Sequence, residues 1–162
     1  MGGEIMLINI RRSVFETNSS STHSVAIRGL DYWTANFDIK ANADNNVYIV
    51  KPGIYDWGYE VLGWFSQKLS YIVTAIGYYD VSHDVPDSIY FHWLAEMFKS
   101  HTGLTLVYEC LDHNTYPGGH IDHQSLDTLE SFWSEYKTEF QENMKAIIFS
   151  SKYSIIIDND NH

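Results

Sequence analysis

Between Trp57 and Tyr78 the residues Val61, Leu62, Phe65, Leu69, Ile72, Val73 and Ile76 recur at intervals of three and four. That period places them on one face of an α-helix, so the spacing predicts a long amphipathic helix that must bury its apolar stripe against other elements. No covalent staple relieves the constraint. Cys110 is the only cysteine, which excludes an internal disulfide and a cysteine-rich zinc site and fits a cytoplasmic setting. A chain of 162 residues is long enough to be held by its core alone.

The remaining patterning supplies partners for that helix. Met6 to Ile10, Ser24 to Ile27 and Val47 to Lys51 are β-prone runs, the last stopped by Pro52-Gly53, and Asn42 to Asn46 reads as a turn. Pro86 and Asp87 open a second helix through Ile89, Trp93, Leu94, Met97 and Phe98 that ends before Gly103. Leu104 to Leu111 has strand composition, and a polar loop follows from Asp112 to Gln124. Ser125 then caps a third helix with Leu129, Phe132, Trp133, Tyr136, Phe140 and Met144 on one face. Ala146 to Phe149 and Tyr153 to Ile157, joined by Ser150-Ser151-Lys152, read as a hairpin. Strands and helices do not alternate as a doubly wound sheet requires. The expected fold is a single α+β domain over residues 1–162, a mainly antiparallel sheet with about three packed helices.

The formal charge is −11, and from Glu109 onward ten carboxylates face only Lys137, Lys145 and Lys152. Such a chain is not expected to bind duplex DNA non-specifically, because that depends on a basic face. The acidic surface either keeps the protein soluble or meets a basic partner that normally holds nucleic acid. No segment reaches the roughly 18 apolar residues that span a bilayer, so no membrane partner is expected. Trp57, Trp64, Tyr78 and Tyr79 offer rings for stacking bases, yet their helical spacing favours core packing for most of them.

Three polar segments carry candidate chemistry. The run Phe15 to Ser24 is rich in hydroxyls, and all three arginines, Arg11, Arg12 and Arg28, lie beside it. Arg11, Arg12, Asn18, Ser19 and Thr22 suit the binding of a phosphate, with Ser20 and Ser21 orienting an oxygen and His23 moving a proton. Serines between strands most often form turns, which is the bland alternative. The second segment, Gly119 to Ser125, follows Asp112-His113; His120, Asp122 and His123 are candidate ligands for a divalent metal, and His123 with Asp122 is a candidate acid/base pair. Its bland alternative is a polar loop before a helix. The third, Asp158-Asn159-Asp160, suits metal-dependent phosphoryl transfer or is simply an acidic tail. Cys110, in an apolar strand, reads as packing.

The string Arg11 to Val25, with Phe15-Glu16-Thr17-Asn18-Ser19-Ser20-Ser21-Thr22-His23-Ser24 at its centre, resembles the opening of an uncharacterised family of small bacteriophage and mobile-element proteins. Ile121 to Ser125 and Asp158 to Asp160 are similar to later segments of those proteins. The resemblance implies a counter-defence role in the cytoplasm of a bacterial host, with a host defence protein or ribonucleoprotein, and its guide RNA, as partners. The leading expectation is a nuclease or phosphodiesterase acting on the nucleic acid of a CRISPR-type effector. The alternative is a non-catalytic inhibitor whose Leu126 to Met144 helix, with Glu130, Glu135, Glu139 and Glu142, mimics nucleic acid and blocks a basic groove. A third is a virion or assembly component.

Overall fold

The computed structural model describes residues 8–9, 22–27, 39, 43–56, 58–121 and 140–158. Its strands are β1 (Ile8–Asn9), β2 (Thr22–Ile27), β3 (Ala43–Asp44), β4 (Val47–Val50), β5 (Ile54–Tyr55), β6 (Tyr59–Leu62), β7 (Thr105–Tyr108), β8 (His120–Ile121) and β9 (Tyr153–Asp158). Its helices are α1 (Phe65–Tyr79), α2 (Ile89–Thr102) and α3 (Phe140–Phe149). Together they form one α+β domain.

The amphipathic helix is present as α1, with Phe65, Leu69, Ile72, Val73 and Ile76 all buried. Each such side chain contributes roughly 1.5–3 kcal/mol when removed from water. The helix starts later than the spacing predicts, because Tyr59–Leu62 is a strand. Gly58, at φ +112°, precedes that strand, Gly63 follows it, and β9 supplies its ladder through Val61↔Ile156 and Leu62↔Ile155. A strand partner outweighs the helical period that Val61 and Leu62 share with α1.

The second helix ends as expected, with Gly103 in the left-handed region at φ +77°. Its start is displaced: Pro86 sits in a 3-10 turn, Val85–Asp87, and Ser88 caps α2 by accepting from the Tyr90 amide. The proposed hairpin at the C-terminus is corrected. Ala146 to Phe149 continues α3, since Met144, Ile147 and Ile148 fall at helical spacing and are buried. Only Tyr153–Asp158 is a strand there. The Ser125 cap and the first turns of that helix lie outside the described residues.

The sheet orientation is mixed, not mainly antiparallel. One sheet, ordered β1-β2-β9-β6, is antiparallel throughout. β3 and β4 form an antiparallel hairpin whose turn places Asn45 and Asn46 at φ +49° and +64°, the left-handed pair that matches strand twist. β4 pairs β7 in parallel, and β5 pairs β8 in parallel. Parallel strands need a long crossover, and α1 and α2 both lie between the paired strands in the chain.

The core joins the three helices to β9, β4 and β7, with Tyr48, Phe65, Phe98 and Phe149 as an aromatic cluster. Lys68 also lies in it, only 1% exposed. Its ammonium donates to the Ser150 and Tyr153 carbonyls at 2.9 and 3.1 Å, clamping the turn between α3 and β9. Burial lowers its pKa to about 8. Cys110, expected to pack inside a strand, lies past the end of β7 and is exposed. Trp64 is likewise exposed, not core. Among the described residues no helix is long and apolar enough to cross a membrane.

Candidate functional site

The described polar side chains converge best around His120, the first residue of β8. Gly119, at φ +81°, delivers the chain there, and a Cβ at that position would stand 2.5 Å from the Gly53 carbonyl oxygen. The His120 amide donates to that carbonyl at 2.9 Å. Gly53 is itself fixed, its amide donating to Thr74 Oγ1 at 2.8 Å, while the Thr74 hydroxyl donates to the Ser70 carbonyl. The backbone of His120 is therefore tied through β5 to the middle of α1.

Its imidazole is held at both nitrogens. Nδ1 lies 2.7 Å from the Tyr78 hydroxyl and Nε2 lies 3.1 Å from Asp56 Oδ1. The phenol of Tyr78 titrates above its ordinary value, chiefly because of burial, with the Ile121 backbone bond opposing and Tyr116 and Asp56 adding to the rise. A phenol that keeps its proton donates to Nδ1, which leaves the imidazole proton on Nε2 facing Asp56. Asp56, His120 and Tyr78 thus form one hydrogen-bonded chain.

A column of rings grows outward from it. Tyr116 stacks on His120 with centroids 4.4 Å apart at 28°, and His113 stacks on Tyr116 at 5.7 Å and 21°. His113 Nδ1 accepts from the Thr115 and Tyr116 amides at 3.2 and 3.0 Å, so its ring is fixed with the proton on Nε2. His120 is mostly covered, with 22% side-chain exposure, whereas His113 is exposed. The arrangement suits orientation of an imidazole, proton transfer along the chain, and stacking at the outer end.

The sequence-derived candidates fall into three groups. Arg11, Arg12, Asn18, Ser19, Ser20, Ser21, Asp122 and His123 lie outside the described residues. Thr22 and His23 stand on β2 at register positions opposite Asp158 and Ile157 of β9. His120 belongs to the separate β5–β8 pair, and both its ring nitrogens, where a metal would bind, are engaged by Tyr78 and Asp56. Among the described residues, no group of three or more His, Cys, Asp or Glu converges to hold a metal ion.

Asp56 and Tyr116 are the residues that sequence reading missed. Tyr116 carried a local signal, an aromatic ring between His113 and His120 in one loop. Asp56 carried none, because its partner arrives through the parallel pairing Ile54↔His120 and Tyr55↔Ile121. Comparison of the chain with protein-family models, with curated proteins and with solved structures finds no match.

Proposed function

We propose that this chain is a counter-defence protein of a bacteriophage or other mobile element, and that it acts by binding: its acidic surface occupies a basic groove of a host nucleic-acid-guided effector. The observation that carries this reading is the burial of Lys68. Among the described residues Lys68 is the one charged side chain withdrawn into the core, with no buried carboxylate to offset it, so the charge they present outward is more negative than their formal sum. A basic groove selects for that charge, giving fast association that weakens with salt. The test is complex formation with a guide-RNA-loaded effector. Reversal of Glu130, Glu135, Glu139 and Glu142 to lysine should abolish the complex, whereas a complex unaffected by reversal and by salt would exclude electrostatic mimicry.

A second reading, phosphodiester hydrolysis, is favoured by the register that brings Thr22 opposite Asp158. It pairs a hydroxyl-bearing residue of the hydroxyl run with a carboxylate, one component of acid/base chemistry on a phosphate, while His23, the next residue of β2, pairs with Ile157. Incubation with guide RNA and DNA tests it: cleavage lost in His23→Ala, with folding intact, supports hydrolysis, and intact nucleic acid removes it.

A further inference from the structure

The loop that carries the ring column is free of positive side chains, as no lysine or arginine occurs between Lys99 and Lys137. Asp112, exposed, adjoins His113, and Asp56, with 48% of its side chain exposed, lies at the inner end against His120. The inner end of the column is closed by Tyr78 and Asp56. The outer end is open, with Tyr116 at 37% exposure and His113 beyond it.

We infer that the His113–Tyr116–His120 column is an arginine-binding site, which takes a guanidinium from a basic partner flat against its outer rings and pairs it with a flanking carboxylate. A planar, weakly hydrated cation gains from stacking on aromatic faces where a compact ammonium gains less. His113 accepts two amides at Nδ1 and in that state presents an uncharged ring to the cation. The rings are already ordered by stacking and by backbone bonds, so little conformational freedom is lost on binding. The inference deepens the binding reading above by naming the partner group, and the site can be tested without the effector.

The test is titration of the isotope-labelled protein with an oligoarginine peptide and with an oligolysine peptide of equal length, at fixed ionic strength, followed by amide shifts. The arginine peptide should shift residues 112–120 and bind about five-fold more tightly than the lysine peptide. Tyr116→Leu should erase that preference and Tyr116→Phe should keep it, with unchanged amide spectra elsewhere confirming the fold of both. Equal affinity for the two peptides, or an arginine preference that survives Tyr116→Leu, overturns the site. The two proposals separate cleanly. Effector binding without arginine preference leaves mimicry and removes the site, whereas arginine preference without effector binding leaves the site and removes mimicry.

Discussion

The Tyr78 hydroxyl meets His120 Nδ1 at 2.7 Å, tying the last turn of α1 to the first residue of β8. The same oxygen interacts with the Ile121 backbone, and Ile121 is fully buried. Tyr78→Phe removes one hydroxyl from two partners. It should destabilise the protein by about 1–2 kcal/mol, read as a lower urea midpoint with unchanged slope. The ring-nitrogen shifts of His120 should also change, because Nδ1 loses its donor. An unchanged His120 spectrum in the folded variant would mean that Tyr78 does not set the tautomer.

Lys68 makes alkaline stability informative. Its folded pKa, about 8, lies below the ordinary 10.5, so between these values the unfolded chain binds more protons than the folded one. Stability from this group therefore rises with pH across that window, by roughly 3 kcal/mol in total. Lys68→Met removes the buried charge but leaves the Ser150 and Tyr153 carbonyls without their donor, opposing effects of similar size. Near pH 7 the variant should be within about 2 kcal/mol of the parent. At pH 9.5 the parent should have gained about 2 kcal/mol on the variant, in urea titrations at both values. Tyr55 and Tyr108, both raised to about 12 by burial first, work the other way above pH 10, where deprotonation favours unfolding in both proteins.

Gly119 and Gly103 share a positive φ and differ in their surroundings. Their φ angles are +81° and +77°, but a Cβ at Gly119 meets the Gly53 carbonyl at 2.5 Å whereas one at Gly103 meets nothing within 4 Å. Gly103→Ala should cost about 1 kcal/mol, the strain of the left-handed conformation alone. Gly119→Ala should cost at least about 2 kcal/mol, because the β5–β8 pair must also separate, and it should weaken the His120–Asp56 contact. Equal costs in thermal or urea unfolding would show that the Gly53 backbone yields freely.

The helices were legible because their signals are local. Phe65 to Ile76 and Ile89 to Phe98 repeat their spacing over more than two turns, and Gly103 marks an end that needs no tertiary knowledge. The two-residue strands Ile54–Tyr55 and His120–Ile121 are too short to have a period, and their pairing is created by the α1–α2 crossover. Tyr59–Leu62 and Ala146–Phe149 were misread for the same reason in opposite directions. A strand partner from β9 captured the first, while helical continuation from Met144 captured the second. Of the site, the sequence marked His120 as polar chemistry in a glycine-bounded loop but concealed Asp56, whose proximity exists only once the parallel strands pair.

Asp80 and His83 give a pH signature that depends on one contact. His83 Nδ1 lies 2.9 Å from Asp80 Oδ1, and the carboxyl of Asp80 titrates below its ordinary value because of bonds from His83 first and Ser88 second. His83 titrates above its ordinary value for the reciprocal reason. The raised imidazole stabilises the fold below its unfolded pKa and loses that effect as pH rises through the folded value. The lowered carboxyl stabilises it above its unfolded pKa and loses that effect as pH falls through the folded value. Their joint contribution is therefore confined to the interval between carboxylate and imidazole titration. Asp80→Asn should return His83 toward its ordinary titration in a proton NMR series and should disturb the Ser88 cap of α2. If His83 keeps its raised value in that variant, the shift arises from Asp87, the remaining carboxylate acting on it, and Asp87→Asn should then abolish it.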